Sequence, residues 1–303
     1  MRIVLVGQGP FGEKALDALI HKGEDIVGVF CPGDKRGEAM KTLAHSSAIA
    51  LFQPEHMRDD TVHQAYVDLK PDLVVLAFVT DILPERLLDI PSIGTICYHP
   101  SLLPRHRGSS GINWAVIQGD TRTGLTILWA DKGIDTGAIL LQKEVDIAPH
   151  DTTGSLYFNS LFPMGIDAIV EAVELIKTGK APRIRQDESR ATYEPPCTET
   201  YAGVDWSKPA ADVYNLIRGC DPQPGAYSTL GGRKVKFYQA ELLTAAEENS
   251  PGQVISIGEG KLVVALNGGA LQVGKVKGET GAKIPADQFA GEADLKVGMR
   301  FGR

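Results

Sequence analysis

Short apolar runs alternate with amphipathic stretches through the first half of the chain. The apolar runs predict buried strands, and apolar positions that recur at helical spacing between them predict helices. The predicted strands cover residues 2–6, 26–30, 49–52, 73–78, 95–98, 125–130 and 138–145, and the predicted helices cover 11–21, 60–69 and 108–118. Because alternation of strands and helices is typical of βαβ units, we predict an α/β domain with a mostly parallel sheet and helices on both faces.

The pattern changes after residue 150. Apolar positions recur at helical spacing from residue 152 to 177 and predict one long helix. Residues 181–204 lack periodicity and contain Pro182, Pro195 and Pro196, as expected of a linker or an extended crossing segment. A short helix is predicted at 210–218, and β-rich runs follow at 226–229, 234–238, 254–257, 262–265 and 271–276. We therefore predict a first domain at 1–180, a linker at 181–204 and a small antiparallel barrel at 205–303.

The net charge of the chain indicates which class of ligand to expect. The chain has 303 residues, 43% of them hydrophobic, and a formal net charge of −7 with a pI near 5.5. An acidic protein has no general electrostatic attraction to phosphate backbones. Small-molecule chemistry is therefore expected ahead of nucleic-acid binding.

Cysteine usage and the N-terminus bear on the cellular compartment. The four cysteines are scattered, with no C-x-x-C pair and no cluster of histidines, which disfavours a disulfide framework or a structural zinc site. The N-terminal apolar run is too short for a signal peptide or a membrane span. We expect a cytoplasmic protein with no membrane association and no metal, and the pattern makes no prediction of the oligomeric state.

A glycine motif follows the first predicted strand. Gly7, Gly9 and Gly12 match the dinucleotide-binding fingerprint G-x-G-x-x-G. That fingerprint also needs an acidic residue after the second strand, where this chain has Cys31 and Pro32. Glycines at such a turn also let a helix pack closely on a sheet. We favour this structural interpretation and keep dinucleotide binding as a minor alternative.

Two residues are suited to proton transfer. His99 follows the predicted strand 95–98, at the carboxyl edge where open α/β sheets bind ligands. Asp135 lies in a glycine-containing turn at 131–137 after the next strand, with Asp131 as a rival carboxylate. A histidine alone is more often a structural hydrogen-bonding group, but a histidine oriented by a carboxylate is a proton-transfer device. We favour Asp135 as its partner, and we expect the basic loop at 105–107 either to meet an anionic ligand or to be solvated.

The residues around this pair resemble the folate-dependent formyltransferase family. The resemblance rests on His-Pro-Ser-Leu-Leu-Pro-Arg-His-Arg-Gly at 99–108, Gly119-Asp120, Thr123-Gly124, Asp135-Thr136-Gly137 and the segment 217–227. It implies a Rossmann-like catalytic domain, an OB-like C-terminal barrel, and transfer of the formyl group of 10-formyltetrahydrofolate to a nucleophile.

The same resemblance implies roles for individual residues. His99 matches the catalytic histidine of the family, and Asp135 matches its essential aspartate, which also borders the cosubstrate. Further folate contacts are expected from the loop after the fourth strand and from the motif itself, at Asp81, Ile82, Leu83, Ser101 and Leu102. The turn 134–140 would complete the pterin pocket, and no metal is needed for this step.

Cys97 departs from the family pattern. The members that transfer the formyl group to an amine generally carry Asn two residues before the catalytic histidine, whereas cysteine is a weak hydrogen-bonding group. The N-terminal hydrolase domain of 10-formyltetrahydrofolate dehydrogenase also lacks that Asn and is locally the most similar. The expected function is formyl transfer to a small-molecule amine or to methionyl-tRNA. Hydrolysis to formate with water as acceptor is the alternative, and a non-catalytic folate- or dinucleotide-binding protein is a minor one.

Overall fold

A computed structural model describes residues 1–243 and 249–302 and divides the chain into two compact units. Unit 1 comprises Met1–Ser109, Gly124–Val145 and Phe158–Glu194, and unit 2 comprises Ser110–Thr123, Asp146–Tyr157 and Pro195–Arg303. The two units alternate along the chain, so neither is one continuous stretch. The simpler division at residues 180 and 205 stays a prediction.

Unit 1 is built on a seven-stranded sheet. Its strands are β1 Arg2–Gly7, β2 Asp25–Phe30, β3 Leu51–Phe52, β4 Leu73–Ala77, β5 Gly94–His99, β6 Arg122–Trp129 and β7 Ile139–Asp146. They lie in the order β3-β2-β1-β4-β5-β6-β7. The pairs among β1 to β5 are parallel, whereas β5 and β6 are antiparallel with His99 opposite Thr126. The predicted Rossmann-like, mostly parallel sheet is confirmed.

Alternate residues of the central strands enter two different cores. Ile3 and Leu5 of β1 pack with residues of the helices α1 Gly9–His21, α2 Glu38–Ser46 and α7 Phe162–Lys177. Val4 and Val6 face the other side and pack with residues of α3 Asp60–Leu69 and α4 Glu85–Leu88. Since side chains of a strand point alternately to opposite faces, the helices cover both faces of the sheet, as predicted.

The long helix expected at 152–177 is interrupted. The chain forms α6 Thr153–Leu156, then a π-helical turn at Tyr157–Leu161, and only then α7. Pro163 lies in the first turn of α7. Because proline has no N–H to donate, a regular α-helix would lose a hydrogen bond at this point, and the wider turn accommodates it.

Unit 2 carries a separate antiparallel sheet. Its strands are β8 Tyr227–Leu230, β9 Arg233–Leu243, β10 Val254–Gly258, β11 Lys261–Leu266, β12 Gly269–Lys277 and β13 Ile284–Pro285. They follow the order β10-β11-β12-β9-β8, with β13 paired to β12. The helices α5 Gly111–Ile117, α8 Ala210–Gly219 and α9 Ala286–Glu292 also belong to this unit. The predicted antiparallel β domain is confirmed. Among its described residues, no helix has the length and apolarity to span a membrane, and the same holds for unit 1.

Candidate active site

His99 is the last residue of β5 and is 5% exposed. Its Nε2 lies 2.8 Å from the carbonyl oxygen of His106, and its Nδ1 lies 3.5 Å from Oδ2 of Asp135. A carbonyl oxygen only accepts hydrogen bonds, so Nε2 must carry a proton. Nδ1 is therefore the nitrogen that can take up or give a proton at this site, and a carboxylate faces it.

Asp135 reaches His99 from the loop between β6 and β7. Because β6 is antiparallel, its last residue Trp129 lies opposite Ile96, and the loop 130–138 folds back toward His99. Oδ2 of Asp135 accepts a hydrogen bond from the Gly108 N–H at 2.8 Å. We expected the two residues, each at the end of a strand, to face each other. In the structure they do so because the loop after β6 returns toward His99.

Asp131, the other candidate carboxylate, is hydrogen-bonded within its own loop. Oδ1 of Asp131 accepts hydrogen bonds from the Gly133 N–H at 3.0 Å and from Thr136 Oγ1 at 2.6 Å. Asp131 thus stabilises the start of the loop from which Asp135 projects. Of the two aspartates, Asp135 is the one placed next to His99.

Cys97 lies two residues before His99 on β5, and its side chain is half-buried. Burial, and to a lesser extent the nearby charge of Asp135, raise the pKa of its thiol to about 12. The thiol is neutral at physiological pH and is a weak hydrogen-bonding group. This position therefore offers neither the amide donor nor the amide acceptor that an Asn would supply.

Arg107 is buried and its guanidinium is bonded within the protein, so neither expectation for the basic loop holds at this residue, whereas Arg105 is exposed. It is 1% exposed, and its guanidinium donates to Gln186 Oε1, to both carboxylate oxygens of Glu188 and to the Tyr193 hydroxyl. The hydrogen bonds with Glu188 raise the pKa of Arg107 and lower that of Glu188. Arg107 is a buried structural cation of the loop.

The segment after α7 supplies groups around the site that sequence reasoning missed. Gln186 is 4% exposed and donates to the carbonyl oxygens of Asp135 and Gly137 at 2.8 and 2.7 Å. The His106 N–H donates to Thr192 Oγ1, and His106 Nδ1 lies 3.3 Å from Glu194 Oε1. These residues fall within the predicted linker, where an aperiodic polar pattern gave no signal for them.

The motif residues Ser101 and Leu102 lie in the loop after His99. Ser101 is fully buried, its hydroxyl donates to the Arg105 carbonyl at 2.8 Å, and its own carbonyl accepts from Thr126 Oγ1 at 2.7 Å. The hydroxyl of Ser101 thus stabilises the loop. Leu102 is half-buried.

Asp81, Ile82 and Leu83 form the loop after β4. The Asp81 carboxylate accepts hydrogen bonds from the N–H groups of Met57 and Ile82, at 2.8 and 2.9 Å. Ile82 is 71% exposed, and Leu83 is half-buried. Asp81 also borders a cavity of about 280 Å³ at the carboxyl ends of β1, β2 and β4. The residues that line this cavity do not include His99 or Asp135.

The glycine motif after β1 is used for packing. A Cβ at Gly7 would lie 2.7 Å from the Ala77 carbonyl oxygen, and one at Gly12 would lie 3.1 Å from the Gly7 backbone. The Gly9 N–H, which opens α1, donates to the Arg36 carbonyl at 2.7 Å. This arrangement fits the structural interpretation of the motif. Among the described residues, no group of three or more His, Cys, Asp or Glu is placed to hold a metal.

Two family models match the chain. The model described as formyl transferase matches residues 1–173, and the formyl transferase C-terminal domain matches residues 198–293. The mitochondrial 10-formyltetrahydrofolate dehydrogenase of Mus musculus is 41% identical over 98% of this chain, which spans 34% of that relative's length. The methionyl-tRNA formyltransferase of Geotalea daltonii is 36% identical over 100% of this chain and 98% of its own length.

Solved structures with the same fold have low sequence identity. HypX from Aquifex aeolicus in complex with tetrahydrofolic acid gives a TM-score of 0.73 at 20% identity and covers 98% of this chain and 48% of its own. An N-formyltransferase from Helicobacter canadensis, bound to folinic acid and dTDP-3-aminofucose, gives 0.71 at 17% identity and covers 89% and 98%. These likenesses concern the fold, whereas the family models and the relatives concern the sequence itself. The chain therefore belongs to the formyl transferase family.

Proposed function

We propose that this protein transfers the formyl group of 10-formyltetrahydrofolate to an amine acceptor, with His99 and Asp135 at the reacting centre. The observation that supports the proposal most is the buried pair itself, with Nδ1 of His99 3.5 Å from Asp135 Oδ2. Membership of the formyl transferase family supports the reaction class. The folate in the name of the 41% identical relative, and the tetrahydrofolic acid bound to HypX, support the donor.

The chemistry assigns a task to each partner. Attack of a nucleophile on the formyl carbon produces a tetrahedral oxyanion, and the folate nitrogen must be protonated before it can leave. The Nε2–H of His99 donates to the His106 carbonyl, so the proton that moves in the proposed reaction is carried on Nδ1. Asp135 stabilises the cationic form of the ring and orders the attacking group.

The proposed folate contacts lie on three loops of unit 1, which follow β4, β5 and β6. Ile82 offers an exposed apolar side chain for a pterin, and the backbone of the turn 134–140 carries further polar groups. Because the Ser101 hydroxyl is already bonded to Arg105, Ser101 would contact folate through other atoms, beside Leu102. Asp81 would act mainly by holding its own loop, since its carboxylate is bonded to two N–H groups.

Hydrolysis is the second candidate, and Cys97 favours it. A neutral thiol with a pKa of about 12 gives an incoming amine little hydrogen bonding, whereas water needs less of a binding site. The relative with 41% identity is a 10-formyltetrahydrofolate dehydrogenase, of which this chain matches about a third.

One experiment separates the acceptors. The purified protein is incubated with 10-formyltetrahydrofolate alone, and formate and tetrahydrofolate are followed; methionyl-tRNA or an amino sugar nucleotide is then added. We expect formylated amine to appear only with an acceptor, and neither product to form with His99→Ala. Rapid acceptor-free formate release that vanishes in His99→Ala would establish hydrolysis instead. Normal folate binding without turnover under either condition would leave the non-catalytic alternative.

A further inference from the structure

One buried amide holds the turn that carries Asp135. The two N–H groups of Gln186 Nε2 donate to the carbonyl oxygens of Asp135 and Gly137, at 2.8 and 2.7 Å. Its Oε1 accepts from Nε and Nη2 of Arg107, at 3.2 and 2.8 Å. Carbonyls only accept and a guanidinium only donates, so the orientation of the Gln186 amide is unambiguous and both of its donors are used.

This turn needs such support. Asp135 has φ +56°, in the left-handed region that a residue with a Cβ adopts only where its surroundings hold it there. The hydrogen bonds to Asp131 fix Gly133 and Thr136. Gln186 fixes Asp135 and Gly137, the residues on either side of Thr136, and thereby sets the position of the Asp135 backbone.

Arg107 connects this support to both partners of the pair. The residue before it, His106, accepts the hydrogen bond from His99 Nε2, and the residue after it, Gly108, donates to Asp135 Oδ2. The Arg107 side chain reaches Gln186 and is itself fixed by Glu188. Three consecutive residues thus fix the ring of His99, the carboxylate of Asp135 and the amide that holds the turn of Asp135.

We infer that Gln186, backed by Arg107, is a positioning residue that directs the Asp135 carboxylate toward Nδ1 of His99. The inference rests on the proposed function of that pair. The Gln186 amide is neutral and bonds only to the backbone of Asp135 and Gly137, so it acts through geometry and adds no charge to the site.

Two substitutions remove the donors of this amide. Gln186→Met keeps the length of the side chain and adds no charge. Gln186→Glu keeps an acceptor for Arg107 but places a carboxylate oxygen against the two carbonyls. Since misplacement of a reacting group by about 1 Å can cost about a hundredfold in rate, we expect kcat to fall about 10- to 100-fold. Gln186 also bonds to Gly137 in the turn 134–140 proposed to meet the pterin, so the KM for 10-formyltetrahydrofolate should rise as well. The rise should be smaller than the fall in kcat, because Gln186 bonds to neither the loop 81–83 nor Ser101 and Leu102.

Asn113→Leu is the matched control. Asn113 Nδ2 also donates to two backbone carbonyls, those of Gly219 and Gln223, at 2.8 and 3.1 Å, but within unit 2. Removing the donors of either amide leaves two carbonyl oxygens without this partner, but one hydrogen bond of Asn113 is exposed. The control should therefore lower the thermal unfolding midpoint somewhat less than the Gln186 variants and leave kcat within about twofold of wild type.

A second readout does not need turnover. The imidazole proton resonances of His99, assigned by their loss in His99→Ala, should move in Gln186→Met toward their positions in Asp135→Asn and stay in place in Asn113→Leu. The inference would be overturned if both Gln186 variants had the kcat of the wild type, or if the His99 resonances stayed in place in both. It would also be overturned if neither Gln186 variant folded. Absence of formyl turnover in the wild type would overturn the proposed function, while the resonances would still decide the role of Gln186.

Discussion

At the scale of single residues, the decisive feature is the fixed protonation of one ring nitrogen. The His106 carbonyl can only accept a hydrogen bond from Nε2 of His99, and Nδ1 of the same ring faces Asp135. Both neighbours of the ring are acceptors, and a protonated ring would donate to the His106 carbonyl and face the Asp135 carboxylate. In the proposed reaction, the carboxylate of Asp135 would stabilise a positive charge on the ring of His99.

Neutralising Asp135 tests this arrangement. Asp135→Asn removes the negative charge that stabilises the cationic ring, so we expect turnover to fall by about a hundredfold or more, the range for loss of a proton-transfer group. Initial rates of 10-formyltetrahydrofolate consumption measure the effect. Asp131→Asn is the control in the same loop, because its Oδ1 can still accept from Gly133 and Thr136. Equal losses in the two variants would contradict the role given to Asp135.

Cys97 belongs to the same scale and bears on the acceptor. Cys97→Asn introduces an amide donor and acceptor beside Asp135, so we expect the ratio of formylated amine to free formate to rise several-fold. Both products are quantified in one reaction with methionyl-tRNA or an amino sugar nucleotide. Cys97→Ala, which stays apolar, should leave that ratio unchanged, and an unchanged ratio in Cys97→Asn would mean that this position does not select the acceptor.

At the scale of elements, the sheet follows from its residues. Strands buried on both faces need continuous apolar runs, and β1, β2, β4 and β5 have them, so their positions were predicted to within a residue or two. The helix α2 was not predicted, because only Met40 and Ala44 of its nine residues are buried and the apolar stripe is too short to recognise. The antiparallel direction of β6 was also not predictable, since a buried run has the same composition in either direction.

The support around the site was the least predictable part. His99 and Asp135 were proposed from the sequence because histidine and carboxylate residues at turns after strands point to chemistry. Gln186 and Thr192 lie in a segment that neither buries an apolar face nor repeats with any period. Gln186 and Thr192 contact the site through hydrogen bonds to residues far away in the sequence, which a local sequence pattern cannot predict.

The turn between β1 and α1 gives a prediction for an element. In Gly7→Ala the new Cβ would meet the Ala77 carbonyl oxygen at 2.7 Å, and backbone cannot move aside cheaply. We expect a loss of about 1–3 kcal/mol in the free energy of unfolding, measured by urea titration. Gly9→Ala, where no atom lies within 4 Å of the new Cβ, bears only the cost of its φ of +61°, about 1–2 kcal/mol.

The same turn bears on the minor dinucleotide alternative. The Gly9 N–H already donates to Arg36 and is not available to a pyrophosphate group. We therefore expect NAD(H) to leave the thermal unfolding midpoint unchanged while a reduced folate raises it. A clear shift with NAD(H) at micromolar concentration would favour the dinucleotide interpretation.

At the scale of the whole molecule, stability should depend on pH through Glu199 in unit 2. Hydrogen bonds from Lys234 and then Lys236 lower the pKa of Glu199 to about 2. A lowered carboxyl pKa contributes stability above its unfolded value of about 4.3, and this contribution is lost as pH falls through the folded value. The unfolding midpoint of unit 2 should therefore decline between about pH 4.5 and pH 2.

Glu199→Gln provides the check. The variant should show a shallower decline than wild type across this pH range, in scanning calorimetry at low ionic strength. Because the carboxylate and the two lysines are partly exposed, about 150 mM salt should reduce the difference between the two proteins. Identical pH profiles at low salt would mean that the pair of lysines does not stabilise the folded state.

The segment 182–190, which contains Gln186, is a target for limited proteolysis. Apart from Gln186, the residues from 182 to 190 are exposed, and they include Arg183, Arg185 and Arg190, each a target for trypsin. The same peptide that leads the chain into Pro195 also secures the loop of Asp135. Cleavage of one peptide bond there would leave every residue of the formyltransferase motif intact. It would still free Gln186 from the loop of Asp135, so we expect turnover to be lost. Bound folate, by stabilising the loop, should slow that cleavage.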